Sequence, residues 1–443
     1  MKIRVEKLEI LSEPFRTPFK FGAAVIDSLQ VPVIRLRVTT PKGEAVGVGS
    51  MPLGNAWSYP GIPYETSLSV MEQLTTRLGK AVDGLEGSDS IWEMSDLLRK
   101  VAFKEMKDIE KERNDDLDLP VPDLCTLVTF SPWDLALFDA WGRAEGGNTY
   151  DLIRAMPTDS KRVKGLRMAP FDQVLSAGPA DKLAIYHVVG GLDALTPGEV
   201  TKSAGDDLPD DLQGWMKRDG LTHFKIKLQG KDPEWDYQRI VAIDKAVVEQ
   251  AEREGRPESD LIFSLDCNEQ CPSGEVLYEL LSRLQKDQPR AFKRVVFVEQ
   301  PTKRTSTGKE EDKVHRAAAL KPVVIDEGLT DVDALQRALD LGYNGICLKA
   351  CKGFGFSMEM ASVAKANNYY LCVQDLTCPG ISFLQSLSIA ARVGVDGLEA
   401  NARQFCPAAN DRVAQYHPEA IRLDKGQVSA KGLNGTGLGL KLS

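Results

Sequence analysis

Eight short apolar segments, separated by stretches of helical periodicity, run from about residue 183 to residue 404. They read LAIYHVV, FKIKL, LIFSLD, VVFVEQ, PVVIDE, GICLKA, YLCVQD and GLEAN. Near-continuous apolar strands that alternate with helices are typical of a parallel sheet covered on both faces. Eight such units in about 220 residues predict a closed (β/α)₈ barrel. An open, doubly wound sheet is the rival arrangement, but no GxGxxG motif or Walker loop supports it.

The segments outside the barrel predict a smaller second domain. Residues 1–60 carry alternating strand patterns, which indicate a β-meander. The segment SPWDLALFDAWGRAEGGNTYDLIRA reads as a helix that begins at Ser131 with Pro132 in its first position. We therefore expect an α/β fold, a modified TIM-type barrel with an α+β capping domain formed by the N-terminal region and the C-terminal tail. The expected divisions are a capping domain at 1–130, a linking helix and connection at 131–182, the barrel at 183–404, and a segment returning to the cap at 405–443.

Composition excludes several classes of partner. The net charge of −9 and the pI of about 5.3 argue against binding to nucleic acid. No apolar run is long enough to span a membrane, and the N-terminus MKIRVEKLEI lacks the apolar core of a signal peptide. The eight cysteines lie mostly in apolar segments without a CxxC pair, as buried, reduced thiols would. We expect a cytoplasmic homo-oligomer, a dimer or a larger assembly, with no nucleic-acid or membrane partner.

Charged side chains stand at the carboxyl ends of successive predicted strands. They are Lys227, Asp266, Glu299, Asp326, Lys349, Asp375 and Glu399. The carboxyl ends of barrel strands form the face on which active sites are built. Seven charged ends in succession therefore predict a functional site at this face.

Three of these charges indicate a metal site. Asp266, Glu299 and Asp326 lie on neighbouring strands, so their carboxylates can converge. Adjacent carboxylates repel one another unless a cation lies among them. Oxygen ligands without histidine or thiolate suit Mg²⁺ or Mn²⁺ better than zinc. Asn268, two residues after Asp266, points to the same side and could orient a ligand or bind substrate.

The lysines indicate proton transfer. Lys225 and Lys227 are two residues apart on one strand, so both project into the barrel mouth. A neighbouring ammonium lowers the pKa of a lysine, which makes one of the pair available as a general base. Lys349, on the sixth strand, lies across the carboxylates from this pair. The alternative is that these lysines only neutralise the carboxylates.

Five motifs, in this order along the chain, resemble those of the enolase superfamily and its muconate lactonizing enzyme-like subgroup, in the mandelate racemase/muconate lactonizing enzyme family. They are FKIK (224–227), LDCNE (265–269), VEQP (298–301), IDEG (325–328) and LKACKGFG (348–355). The segments PFRTPFKFG and GVGSMPLG resemble that family's two loops over the active site. SPWDLALFDAWGRAEG and LNGTGLGL resemble its linking helix and closing segment, so the resemblance spans nearly the whole chain.

The resemblance implies roles for six residues. Asp266, Glu299 and Asp326 would be the Mg²⁺ ligands. Lys227 would be the base on one face of the substrate, and Lys349 the acid or base on the other. Lys225 would stabilise the substrate carboxylate.

The last two strands depart from patterns known in the family. The seventh ends VQDLT, without the histidine base of the His-dependent members. The eighth ends LEAN, where dipeptide epimerases of the family carry an Asp-x-Asp pair that holds an ammonium group. A dipeptide substrate is therefore not favoured. The predicted substrate-binding residues are Asn268, Asp375, Glu399, Asn401, Phe19 and Trp57.

The combined pattern predicts a Mg²⁺-dependent enzyme that removes the α-proton of a small carboxylate substrate through a metal-stabilised enediolate. Two lysines on opposite faces favour a racemase or epimerase that acts by 1,1-proton transfer. A lyase (dehydratase) or cycloisomerase would use the same residues. A non-catalytic metal-binding barrel and a metal-dependent aldolase with a Schiff-base lysine are alternatives of other kinds.

Overall fold

A computed structural model describes residues 1–21, 24–306 and 308–441 of the chain. The side chains of residues 19–21 and 24 fall outside that description, so the predicted substrate contact of Phe19 lies outside the described residues. Within the described part, no helix is both long enough and apolar enough to cross a membrane.

An antiparallel three-stranded sheet forms the N-terminal part of the molecule. Its strands, in spatial order, are β1 (Lys2–Phe21), β2 (Ala24–Thr39) and β3 (Glu44–Ser50). On β2 the alternate residues Ile34, Leu36 and Val38 are buried, because successive side chains of a strand point to opposite faces. The predicted β-meander is thus confirmed. The helices that follow are α1 (Asn55–Ser58), α2 (Tyr64–Ala81) and α3 (Ile91–Glu112).

The next helix, α4 (Asp123–Ala144), starts at Asp123, so the prediction that it begins at Ser131 is wrong. Pro132 lies inside the helix instead of in its first position. Proline has no N–H with which to bond the carbonyl of Val128. The hydroxyl of Ser131 donates to that carbonyl at 2.8 Å, so the carbonyl keeps a partner and the helix continues through the proline.

The predicted helical segment is also divided. Gly146, with φ of 78°, follows the end of α4, and a separate short helix, α5 (Thr149–Arg154), comes after it. A left-handed residue is a common helix terminator because it turns the chain out of the helical path.

Eight parallel strands form the closed barrel, which confirms the predicted fold class. They are β4 (Leu183–Val189), β5 (His223–Lys227), β6 (Ile262–Asp266), β7 (Val295–Glu299), β8 (Val323–Ile325), β9 (Gly345–Leu348), β10 (Tyr370–Val373) and β11 (Gly397–Glu399). Each strand pairs with the next in sequence, and β11 pairs with β4 to close the ring. The barrel interior below the site is filled by a cluster of Tyr186, Phe297, Val324, Cys347 and Cys372.

Helices cover the outside of the barrel. A short helix, α6 (Phe171–Val174), precedes the first barrel strand. The helices between consecutive strands are α7 (Leu212–Asp219), α8 (Pro233–Arg253), α9 (Gly274–Asp287), α10 (Pro289–Arg294), α11 (His315–Ala318), α12 (Val332–Asp340), α13 (Phe354–Asn367) and α14 (Ile381–Val393). All eight cysteines are buried thiols, as expected.

The C-terminal segment contacts both parts of the molecule. It contains α15 (Ala402–Phe405), α16 (Pro407–Ala414), α17 (Pro418–Ile421) and β12 (Gln427–Val428), which pairs antiparallel with β4. Arg412 of α16 forms an ion pair with Glu13 of β1. Farther along, the backbone N–H of Leu438 donates to Asp139 of α4 at 2.8 Å. The division of the chain into domains at the predicted residues stays a prediction.

Candidate active site

Three acidic side chains end neighbouring strands of the barrel. Asp266 and Glu299 are the last residues of β6 and β7 and are paired in register, and Asp326 directly follows β8. All three are at most 1% exposed. Burial raises the pKa of Glu299 well above its usual value, and the charges of Asp266 and Asp326 add to this against the opposing effect of Lys225. Burial also raises the pKa of Asp266 and of Asp326, but the lysines beside them outweigh it and lower both, so lysine ammonium groups balance much of the expected repulsion.

Lys225 contacts two of these carboxylates, Asp266 and Glu299, together with a further one, Glu399. Its ammonium is 3.0 Å from Asp266 Oδ2, 2.8 Å from Glu299 Oε2 and 2.9 Å from Glu399 Oε2. Burial lowers the pKa of Lys225, but the three carboxylates outweigh it and raise that pKa well above the usual value. The shift is opposite to the lowering expected from a neighbouring lysine, because the carboxylates lie closer than sequence spacing could show. Lys225 is a fixed positive charge.

Lys227, two residues along β5, is the more accessible lysine. Its side chain is 28% exposed, and its ammonium donates to Asp266 Oδ2 at 2.5 Å and to Asn268 Oδ1 at 3.1 Å. Asn268 has a φ of 42°, and its backbone N–H donates to Asp266 Oδ1 at 2.9 Å. The chain thus turns sharply after β6 and places Asn268 against both the carboxylate and the lysine.

Lys349 reaches the same carboxylates from another side. It follows β9, and its ammonium lies 2.6 Å from Asp326 Oδ2 and 3.8 Å from Glu299 Oε1. Burial lowers the pKa of Lys349, but Asp326 and Glu299 outweigh it and raise that pKa well above its usual value. The ammonium also lies 4.5 Å from the centre of the Trp57 ring, within the range of a cation–π contact.

Trp57 is held over the barrel mouth by two hydrogen bonds. Its indole N–H donates to Glu327 Oε1 at 3.0 Å, and its backbone carbonyl accepts from Arg304 at 3.1 Å. Burial and the neighbouring Asp326 raise the pKa of Glu327 to about 7. The sequence suggested Trp57 as a substrate contact, and the structure places its ring beside Lys349.

The ends of β10 and β11 form a connected polar group behind Lys225. The side-chain amide of Asn401 donates to Glu399 Oε1 at 2.8 Å. Asp375 accepts from the backbone N–H of Cys378 at 2.6 Å and of Asn401 at 2.9 Å. Burial and the charge of Glu399 raise the pKa of Asp375 to about 6. Both Asp375 oxygens are thus used by backbone groups, whereas Asn401 Oδ1 is buried without a hydrogen-bond partner among the described residues.

Two residues that the sequence did not single out position Asp326. Lys352 is 2% exposed, and its ammonium donates to the carbonyl of Asp326 at 2.5 Å and to Oδ1 at 3.0 Å. The side-chain carbonyl of Gln300 accepts from the backbone N–H of Asp326 at 2.8 Å. Both residues lie within the VEQP and LKACKGFG motifs, which could have drawn attention to them. Their contacts with Asp326 join the ends of different strands, so no sequence pattern predicts these contacts.

The donor set fits a divalent cation. Both oxygens of Glu299 and Oδ2 of Asp326 are buried, and ammonium groups lie beside them: Lys225 is 2.8 Å from Glu299 Oε2 and Lys349 is 2.6 Å from Asp326 Oδ2. Carboxylate oxygens in this state are ready ligands for a hard cation. Among the described residues, ligand atoms of Glu299, Asp326 and Cys347 all lie within 4.8 Å of one another. Asp266 stands outside this closest group, with its Oδ2 against Lys225 and Lys227.

The comparison with protein families agrees with this architecture. Residues 207–443, more than half of the chain, match the family model described as Enolase C-terminal domain-like, from the mandelate racemase/muconate lactonizing enzyme family. The chain belongs to the enolase superfamily. As an enzyme of this superfamily it carries the barrel and the capping sheet that the motifs implied. A search of curated protein sequences found no match.

Solved structures of superfamily members share the fold at low sequence identity. The L-Ala-D/L-Glu epimerase from Bacillus subtilis has a TM-score of 0.65 and 16% identity, with 99% of each chain covered. The muconate lactonizing enzyme from Pseudomonas fluorescens has a TM-score of 0.60 and 16% identity, over 99% of this chain and 97% of that one. An enolase from Bradyrhizobium, complexed with magnesium and mandelic acid, has a TM-score of 0.59 and 15% identity, over 100% and 96%. At these identities the similarity shows the fold alone.

Proposed function

We propose that this enolase superfamily member is a Mg²⁺-dependent racemase or epimerase that moves the α-proton of a small carboxylate substrate from one face to the other. The placement of two lysines carries the proposal. Lys227 ends β5 and Lys349 follows β9, the second and sixth strands of an eight-stranded ring, so they stand on opposite sides of the barrel. Both ammonium groups contact the same cluster of carboxylates.

The carboxylates would hold the metal ion. The superfamily motifs support Asp266, Glu299 and Asp326 as the ligands. For Glu299 and Asp326 the structure adds buried oxygens whose near partners are ammonium groups. When bound, the ion stabilises the negative charge that develops on the substrate carboxylate as the α-proton leaves. A similar structure, the Bradyrhizobium enolase, was obtained with magnesium, which supports that choice of ion.

The lysines would carry the proton. For one stereoisomer, the neutral amine of Lys227 takes the α-proton, and the ammonium of Lys349 gives a proton to the same carbon from the other face. The reverse sequence serves the other stereoisomer. The ammonium of Lys349, 2.6 Å from Asp326 Oδ2, is placed on the side from which that proton has to come. Lys225, surrounded by three carboxylates, keeps a fixed positive charge beside the developing negative charge.

The other end of the substrate would meet Trp57, Glu399 and Asn401. The Trp57 ring lies beside Lys349, which suits an apolar group near the reacting carbon. Asn401 Oδ1 is a buried acceptor without a partner among the described residues, so a substrate N–H or O–H would satisfy it. An N-acyl amino acid can supply both the apolar group and the N–H. Asp375 is not expected to contact the substrate, because both of its oxygens already accept hydrogen bonds from backbone amides.

A screen in D₂O with Mg²⁺ tests this proposal. N-acyl amino acids, dipeptides and sugar acids are each supplied as a single stereoisomer and followed by proton NMR and chiral chromatography. We expect deuterium at the α-carbon and the accumulation of both stereoisomers. Lys227→Ala should not interconvert the stereoisomers. Its matched control is Lys231→Ala, at an exposed lysine just beyond β5, which should leave the rate unchanged. A new double bond or ring without the second stereoisomer would contradict racemisation and indicate a lyase or cycloisomerase.

A further inference from the structure

The seventh barrel strand, β10, presents a glutamine to the candidate site. On four neighbouring strands, a residue of the interior cluster is followed two positions later by a side chain that points the same way, because side chains of a strand alternate. These pairs are Phe297 and Glu299, Val324 and Asp326, Cys347 and Lys349, and Cys372 and Gln374. The backbone N–H of Gln374 donates to the carbonyl of Leu348 at 3.0 Å, so strand pairing continues to this residue. Gln374 therefore stands beside Lys349 in the layer of the candidate metal ligands.

The Gln374 side chain lacks a partner for its oxygen. The residue is 2% exposed, and its Oε1 is buried without a hydrogen-bond partner among the described residues. Asp375, which the sequence singled out on this strand, instead accepts from the backbone N–H of Cys378 and of Asn401. A buried amide without a partner is costly to a folded protein. Its place in this layer of the barrel points to a ligand that completes its bonds.

A second buried amide stands at the end of the neighbouring strand, β11. Asn401 is 8% exposed, and its side-chain nitrogen donates to Glu399 Oε1 at 2.8 Å. This bond to a carboxylate fixes which end of the amide is the nitrogen, so Oδ1 is an acceptor. It also has no hydrogen-bond partner within the described part of the chain. Two buried acceptors are thus left unpaired at the ends of β10 and β11.

The charges on this side of the barrel mouth are already balanced. Glu399 Oε2 lies 2.9 Å from the Lys225 ammonium, and Glu399 Oε1 accepts from Asn401. The groups left without partners are neutral amides. A substrate ammonium buried here would have no counter-charge of its own, and burying an unpaired charge is costly. The two acceptors therefore favour a neutral donor.

We propose that Gln374 is a specificity-determining residue that, together with Asn401, selects a neutral amide substituent on the substrate over an ammonium group. The amide N–H donates to the buried acceptors, and the amide carbonyl can accept from the side-chain NH₂ of Gln374. This inference rests on the proposed function in taking the barrel mouth as the site of a carboxylate substrate. It replaces Asp375 by Gln374 as the substrate contact of the seventh strand.

Three carboxylates test the inference by direct binding. N-acetylphenylalanine, phenylalanine and 3-phenylpropionate share the carboxylate and the phenyl ring, and their α-carbons carry a neutral amide, an ammonium group and hydrogen only. Ligand-observed NMR with Mg²⁺ measures their affinities. We expect the wild type to bind N-acetylphenylalanine about 10–100-fold more tightly than either other probe, because only its amide pairs the buried groups without adding charge. Gln374→Met should abolish this preference, and the exposed Gln336→Met should keep it.

Stability separates a binding role from a structural one. In the free protein Gln374 Oε1 has no bond to lose, so Gln374→Met should leave the midpoint of thermal unfolding unchanged or raise it. The matched control is Gln385→Met. This buried glutamine accepts from the Ser50 N–H at 3.0 Å and donates to the Val48 carbonyl at 2.8 Å, so its replacement should lower the midpoint. An equal loss in Gln374→Met would assign Gln374 a structural role and overturn the inference.

Two binding results would also overturn it. One is a wild type that binds none of the probes or shows no preference for N-acetylphenylalanine, and the other is a Gln374→Met variant that keeps the wild-type preference. Exchange of the α-proton is read separately. Preference for the amide without exchange on any substrate would support the inference and refute the proposed function. Exchange without that preference would leave the function standing and refute the role of Gln374.

Discussion

At the scale of single residues, the site is organised by buried charges that compensate one another. Lys225 is 1% exposed and lies within 3.0 Å of three carboxylates from three strands. Taking one partner from such a group leaves charge that nothing nearby balances, and the low dielectric of the interior makes this costly. The same lysine was expected to tune its neighbour, but its carboxylate partners give it a structural role as well.

Replacing Lys225 by methionine should destabilise the metal-free protein. We expect the free energy of unfolding to fall by about 3–5 kcal/mol, because Asp266, Glu299 and Glu399 lose their shared counter-charge. Urea denaturation with chelator present measures this. Lys231→Met, at an exposed position, should stay within about 0.5 kcal/mol of the wild type. Equal stability of the two variants would show that Lys225 does not hold the carboxylates together.

Lys352 should matter to metal affinity and not to the chemistry itself. Its ammonium fixes both the carbonyl and the carboxylate of Asp326. For Lys352→Met we expect Mn²⁺ binding to weaken by about 10–100-fold, as is usual for a group that orients a metal ligand. Calorimetric titration with Mn²⁺ measures this, with the exposed Lys365→Met as control. An unchanged affinity would remove Lys352 from the metal site.

At the scale of elements, the N-terminal sheet and the long helix that precedes the barrel are joined by a close approach between β3 and α4. A Cβ atom on Gly49 would lie 1.9 Å from the carbonyl oxygen of Pro132, and one on Gly47 would lie 2.1 Å from the backbone nitrogen of Ala140. Only glycine allows this contact between strand and helix. The contact places the GVGSMPLG segment, and hence α1 with Trp57, at the barrel mouth.

Adding a methyl group at this contact should destabilise the fold. For Gly49→Ala we expect a loss of about 1–3 kcal/mol or more, because the backbone of α4 has to move away. Gly178→Ala is a matched control, since a Cβ there would meet nothing within 4 Å. Thermal unfolding followed by circular dichroism compares the two. Equal midpoints would mean that β3 and α4 are not in tight contact.

The elements also show what the sequence could and could not reveal. The eight strands and their charged ends were predictable, because apolar runs and terminal charges are local features of the chain. The start of α4 was not, because the side chain of Ser131 supplies the bond that Pro132 cannot. The contacts of Glu399 with Lys225, and of Gln300 with Asp326, depend on strands distant in sequence lying side by side. Such register is set by the folded barrel, so spacing alone could not predict it.

At the scale of the whole molecule, the closure of the barrel places strands that are four apart in sequence order on opposite sides of the site. The strands that carry Lys227 and Lys349 are four apart in a ring of eight, so the two amines flank whatever the carboxylates hold between them. A metal triad alone is compatible with many reactions. The two lysines favour racemisation or epimerisation, because a proton can leave the substrate on one side and return on the other.

The most direct test of this account is stereospecific exchange by the two lysine variants. Each stereoisomer of a substrate from the screen is incubated in D₂O with Mg²⁺ and Lys227→Ala or Lys349→Ala, and loss of the α-proton is followed by NMR. We predict that neither variant interconverts the stereoisomers, and that each exchanges only the stereoisomer whose α-proton faces the remaining lysine. Exchange of the same stereoisomer by both variants, or interconversion by either one, would contradict proton transfer between two opposed lysines.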